Sequence, residues 1–187
     1  MRVIAGSARG LRLTAPAGLQ TRPTADRVKE ALFSIIASRR EMVGARILDI
    51  CAGTGSLGIE ALSRGAASCC FIEQDRHVLA QLEKNLAKAG LAGRGEFLAL
   101  GAIAGLNRLS RLGKSFDIVF LDPPYSSGLY APVAEALSSL PLLTDDGLLV
   151  AECSARTPLA KRYDELVRID RRVYGDTALE FFARETP

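Results

Sequence analysis

Residues 47–58, Ile47-Leu48-Asp49-Ile50-Cys51-Ala52-Gly53-Thr54-Gly55-Ser56-Leu57-Gly58, decide the fold. An apolar strand runs into a glycine loop and then into a helix, the opening unit of an open α/β sheet. Gly53 and Gly55 allow a tight turn and a close backbone approach to a ligand, and Gly58 lets the helix pack near the strand. Cys51, Ala52, Thr54 and Ser56 complete the loop. The spacing also satisfies Gly-x-Gly-x-x-Gly, which suits a dinucleotide equally well.

Two acids narrow the choice. Asp49 stands four residues before Gly53, where its carboxylate can order the loop and receive the ammonium of a methionine moiety; a pyrophosphate would be repelled there. Glu73 closes the next strand and is placed to accept hydrogen bonds from two ribose hydroxyls, a feature both ligands share. Acids at two successive strand ends are costly unless a ligand uses them.

Outward from this unit the period alternates. Strands are predicted at 46–51, 68–73, 95–100, 116–121 and 148–152, with helices at 56–64, 75–89, 102–112 and 129–139 between them. Extended stretches at 165–174 and 178–184, joined by Gly175-Asp176, read as a closing antiparallel hairpin. Apolar strands in repeated βα units predict a seven-stranded, mostly parallel sheet with an antiparallel C-terminal strand and helices on both faces. Before it, Arg2–Ala5 and Leu11–Ala15 flank Gly6-Ser7-Ala8-Arg9-Gly10 and read as a short β-hairpin, and Val28, Ala31, Leu32, Ile35 and Ile36 mark a helix over 25–39. The expected division is a basic hairpin extension, 1–20, and a main domain, 21–187.

The strand at 116–121 ends in Asp122-Pro123-Pro124-Tyr125. Ligands in such sheets lie beyond the carboxyl ends of the strands, so this loop should face the glycine loop across a crevice. The exocyclic amine of guanine, adenine or cytosine is a poor nucleophile, because its lone pair is delocalised into the ring. The Asp122 carboxylate and the Pro123 carbonyl can each accept one amino hydrogen and draw the nitrogen toward tetrahedral geometry. Pro123 and Pro124 hold those acceptors rigidly. Tyr125 offers a ring for an extruded base, worth about 1–3 kcal/mol. Neither a metal nor a covalent intermediate is required.

The 187 residues, 48% of them apolar and 24% charged, suit one globular core rather than a disordered chain. No apolar run is long enough to cross a bilayer, and Met1-Arg2-Val3-Ile4 opens no secretory signal, so a cytoplasmic protein without a membrane partner is expected. Cys51, Cys69, Cys70 and Cys153 form no Cys-x-x-Cys pair, and His77 is the only histidine, which argues against zinc and against a disulfide framework. Residues 1–46 hold nine Arg or Lys against three acids, a net of +6, so the remaining 141 residues carry −3. A basic arm on a mildly acidic body is the footprint expected of phosphate-backbone binding, although arginines serving only solubility would look similar.

DICAGTGSLGIEALSRGA (49–66) together with DPPY (122–125) resembles the Rossmann-like class I of S-adenosylmethionine-dependent methyltransferases that modify base amino groups. RVIAGSARGLRLTAP (2–16), TRPTADRVKEALFSII (21–36) and YGDTALEFF (174–182) are similar to the RNA small-subunit methyltransferase D family. The resemblance implies N2 methylation of a guanine in 16S ribosomal RNA, on an assembled or partly assembled small subunit, by a protein expected to be monomeric. It implies that Arg22, Pro23, Thr24 and Arg27 border the cofactor pocket, that Asp49 to Gly58 and Glu73 hold the cofactor, and that Asp122 to Tyr125 hold the target. Arg2, Arg9 and Arg12, with Arg27, would grip RNA. Many relatives carry an aromatic residue where Cys51 stands, and after the third strand Leu100-Gly101-Ala102 offers no acid or amide, so Gly101 and Ala102 would meet the adenine through backbone groups.

Three other readings stand beside this one. A nicotinamide dehydrogenase fits the glycine loop and Glu73 but leaves Asp49, Asp122 and the basic arm without a task. A non-catalytic RNA-binding or ribosome-assembly factor uses the arginines and has no need of Asp122. An adenine-N6 methyltransferase of DNA or RNA uses the same acidic loop, and only the terminal segments argue against it.

Overall fold

The computed structural model describes residues 1–16 and 26–185. Arg22, Pro23 and Thr24, expected beside the cofactor, lie outside the described residues. Helix α1, Asp26–Ala37, precedes β1, Arg46–Ile50; α2, Ser56–Ser63; β2, Ser68–Ile72; and α3, Arg76–Lys88. Next come β3, Gly95–Leu98; α4, Ala102–Arg111; β4, Phe116–Leu121; α5, Tyr130–Ser139; and β5, Leu143–Ser154. Three further strands close the sheet: β6, Arg162–Tyr163; β7, Leu166–Tyr174; and β8, Thr177–Arg184.

These strands form one sheet in the order β3-β2-β1-β4-β5-β8-β7-β6. The first five run parallel, and β8 is antiparallel to both β5 and β7. The sheet has eight strands where seven were expected. The additional one, β6, is a two-residue pairing with β7, too short to show any periodicity. Strand β5 also begins five residues earlier than the apolar run at 148–152, after a register shift opposite β4. Alternation along each strand divides the core in two. Ile47, Phe71, Phe120 and Val150 face α1, α2 and α3, whereas Leu48, Ile72, Leu121 and Ala151 face α4 and α5. The order reverses between β1 and β4, the switch point at which open sheets of this kind bind ligands.

The N-terminal segment pairs as expected, with a bridge from Arg2 to Arg12 and backbone hydrogen bonds joining Val3 to Leu11 and Gly10. It is pinned to the body, since Val3 and Leu13 are buried in the core. The Glu60 carboxylate accepts the Ile4 and Ala5 N–H groups, and Ser63 bonds Ala5 and Ala8. On the other arm Asn85 bonds Thr14 and donates to the Thr54 carbonyl of the glycine loop.

Lys29 corrects the charge reading. It is fully buried, 3.4 Å from Glu60, so it adds nothing to a basic surface. Arg2, Arg39 and Arg46 pair with Asp26, Asp170 and Asp117. Arg9, Arg12 and Arg27 are exposed and, among the described residues, carry no ion pair.

Candidate functional site

The glycine loop leaves β1 through Cys51, whose φ of +61° lies in the left-handed region that non-glycine residues seldom adopt. Such a conformation costs about 1–3 kcal/mol and persists only where surrounding contacts impose it. Here the Ala52 N–H donates to the Ile72 carbonyl, and Gly55 closes the turn on Ala52. Gly53 follows at φ +54°, with open space where a side chain would stand. At Gly58 the space is absent, because a Cβ would lie 2.2 Å from the Phe71 ring, and α2 rests directly on β2.

Two carboxylates hold this loop from below. Asp49, 1% exposed, accepts the Gly58 N–H at 2.9 Å and so satisfies one of the amide groups left over at the start of α2. Glu73 accepts the Gly53 N–H at 3.0 Å and the Asp75 N–H at 2.9 Å, while Asp75 caps α3 through His77 and Val78. One acid therefore ties the two loops together at the ends of β1 and β2. Gly101 and Ala102 stand at the start of α4, and a Cβ on Gly101 would lie 3.8 Å from the Gln74 Oε1. Sequence reasoning passed over Gln74, an amide that sits across from the position where none was found.

The Asp122 loop opens from the neighbouring strand. Ile50 is in register with Leu121, and the Asp122 N–H points at the Ile50 carbonyl at 3.4 Å. Asp122 and Cys51 thus leave adjacent parallel strands at the same end. Burial pushes the Cys51 thiol up to about 12, and the negative charges of Glu73, Asp49 and Asp122 all act in the same direction. All three acids are therefore within electrostatic reach of a single side chain between the loops. Burial likewise raises Asp49 to about 7, opposed by the Gly58 hydrogen bond and reinforced by Glu73. Asp122 is held well above the usual carboxylate range, by burial first and then by Glu152 and Asp49.

Beyond Asp122, Pro123 is buried and Pro124 exposed. Tyr125 is 38% exposed, and its hydroxyl lies 3.1 Å from the Thr177 hydroxyl. Tyr130 places its hydroxyl 2.8 Å from the Glu152 carbonyl and 3.3 Å from the Pro123 carbonyl. One hydroxyl hydrogen serves one of these at a time, and the shorter contact leaves the Pro123 oxygen able to accept another donor. An open cleft of about 330 Å³ bordered by Tyr125, Tyr130 and Ser154 adjoins this loop. A second cleft, lined by Arg46, Ser68 and Lys114, sits at the opposite ends of the strands, away from these groups.

The structure thus brings Asp49, Cys51 to Gly58, Glu73 and Asp122 to Tyr125 to one end of the sheet. The expected RNA-contacting residues Arg2, Arg9 and Arg12 belong to the N-terminal hairpin, and Arg27 lies in the first turn of α1. Glu152 and Tyr130 were not foreseen. Glu152 had a signal available, an acid at a strand end in the same pattern as Asp49 and Glu73. Among the described residues no cluster of His, Cys, Asp and Glu is suited to a metal ion, and no helix is long and apolar enough to cross a membrane.

An S-adenosyl nucleoside fits these residues. Gly53 exposes backbone to open space, Glu73 is a carboxylate at the β2 end, and Asp49 orders the loop from beneath through the Gly58 N–H. The chain matches the family described as Conserved hypothetical protein 95 over residues 1–183. It is 37% identical to the Ribosomal RNA small subunit methyltransferase D of Escherichia coli strain K12, over 99% of this chain and 90% of that one. The protein of the same name from Haemophilus influenzae is 35% identical, over 85% of this chain and 81% of that one. Among solved structures, the hypothetical protein TTHA0928 of Thermus thermophilus superposes with a TM-score of 0.84 at 30% identity, covering 99% of both chains.

Proposed function

The chain belongs to the Conserved hypothetical protein 95 family, and on that premise we propose that it methylates the exocyclic N2 of a guanine in 16S ribosomal RNA of the small subunit. S-adenosylmethionine is the methyl donor and supplies, when bound, a sulfonium-activated methyl group. One observation carries the reading: the Asp122 loop and the glycine loop leave adjacent parallel strands at the switch point of the sheet.

Each residue then has a task. The Gly53 to Gly58 turn and Asp49 receive the methionine end of the donor, and Glu73 receives the ribose, with the backbone at Gly101 and Ala102 beside the adenine. Asp122 and the Pro123 carbonyl accept the two amino hydrogens of the target, so the N2 lone pair is no longer shared with the ring. Tyr125, tied to Thr177, supplies a flat apolar surface for the extruded base. As the new carbon–nitrogen bond forms, the carbon–sulfur bond breaks and N2 sheds a proton. Asp122 takes it, and a carboxylate with raised proton affinity suits that task. The N-terminal extension, taken as residues 1–20, carries Arg9 and Arg12 exposed on its hairpin and lays RNA phosphate against the methyltransferase domain, taken as residues 21–187.

The test is incubation with labelled S-adenosylmethionine and small subunits from cells lacking this protein, followed by nucleoside analysis. N2-methylguanosine is the expected product. Labelled N6-methyladenosine would replace the proposed target, and the absence of label in any nucleoside would overturn the proposal.

A further inference from the structure

The geometry points to Glu152 as the residue that selects guanine: its carboxylate accepts the ring N1–H while Asp122 and the Pro123 carbonyl accept the N2 hydrogens. This inference rests on the guanine-N2 reading and adds a group that the reading did not use.

Strands β4 and β5 are parallel neighbours, with Phe120 opposite Val150 and Leu121 opposite Ala151. Phe120 and Val150 face one half of the core, Leu121 and Ala151 the other. One residue further along, Asp122 and Glu152 therefore stand at the same level on the face shared by Phe120 and Val150. Tyr130 stands between them, its hydroxyl 2.8 Å from the Glu152 carbonyl and 3.3 Å from the Pro123 carbonyl. Glu152 is 7% exposed, and Asp122 feels its charge directly. Two carboxylates and a carbonyl thus gather at one corner of the crevice.

That corner is rich in acceptors, and the bases differ in what they offer it. Guanine presents N1–H and the N2 amino group side by side, all donors. Adenine and cytosine each place a ring-nitrogen lone pair beside the exocyclic amine, and a carboxylate facing that lone pair repels it. A second carboxylate next to Asp122 therefore converts a loop able to handle any amino-bearing base into one that prefers guanine.

The discriminating substrate is 2-aminopurine, which keeps the N2 amine but replaces the N1–H with a lone pair. Small-subunit RNA is prepared with the mapped target as guanine or as 2-aminopurine, assembled into particles, and compared by kcat/KM for the wild-type chain and Glu152→Gln. The wild-type chain should favour guanine by about ten- to a hundredfold, the usual discrimination of a paired hydrogen-bond contact. In Glu152→Gln the guanine rate should fall by a similar factor and the preference should narrow or invert, because a carboxamide can donate to the N1 lone pair. Melting temperature and S-adenosylhomocysteine affinity should stay near the wild-type values. An unchanged guanine preference in Glu152→Gln, or an equal loss on both substrates, overturns the assignment while leaving the proposed reaction intact. A wild-type chain that forms no N2-methylguanosine fails earlier, at the reaction itself.

Discussion

Glu180 is a fully buried carboxylate and Asp122 a partly exposed one, at the two strands that flank β5, and they are treated in opposite ways. Glu180, 0% exposed, receives Arg168 at 2.8 Å, Arg171 at 3.0 Å and the Leu159 N–H at 3.2 Å. Glu60 is held in the same manner by Lys29, Arg64 and two backbone N–H groups. Asp122 and Asp49, in contrast, have no cation within ion-pair distance among the described residues, and burial raises the proton affinity of both. The difference separates two uses of acidic side chains. Where the fold needs an anchor it neutralises the carboxylate internally, and at the two loops proposed to meet ligands it leaves the carboxyl group without an internal cation.

Mutation of an anchor should give the largest stability effect. Glu180→Ala strands Arg168 and Arg171 without their partner, and breaking a buried pair in this way costs about 3–5 kcal/mol. In a chain of this size that lowers the melting temperature by roughly 10 °C. A melting curve that overlays the wild type would remove the distinction from the anchor side.

Asp49 sharpens the other side through pH. Its carboxyl is raised from an ordinary 3.8 to about 7 in the folded chain, so between those values the folded state keeps a proton that the unfolded state releases. The associated stability is fully present below the unfolded value and is lost as pH rises through about 7. Urea unfolding of the ligand-free chain from about pH 5 to about pH 8 should therefore slope downward, by up to about 1.4 kcal/mol per pH unit from this group. Asp49→Asn should flatten the slope while weakening S-adenosylhomocysteine binding. Equal slopes in the two proteins would show that Asp49 carries no such burden.

The same contrast separates what is legible along the linear chain from what is not. The βα alternation, the glycine loop and Asp122-Pro123-Pro124-Tyr125 are local patterns, and local patterns survive in a linear reading. Ion pairing is not local. Lys29 counts as a surface charge along the chain, yet it shares a helical face with Phe33 and Ile36, at spacings of four and seven, and is buried with them. Glu60 likewise sits in an apolar helix, and the hairpin groups that bond it are more than fifty residues away. Glu152 closes the apolar run 148–152, a local signal, but what it stands beside comes from register with β4, which no single segment contains. Strand β6 depends wholly on its partner β7.

The most direct test of these two uses of charge is Asp122→Asn, measured for melting temperature, S-adenosylhomocysteine affinity and turnover on small subunits. The account predicts a melting temperature equal to or above the wild type, nearly unchanged affinity, and turnover reduced by about 10²–10³-fold. A fall in melting temperature comparable to that of Glu180→Ala, with turnover retained, would contradict it.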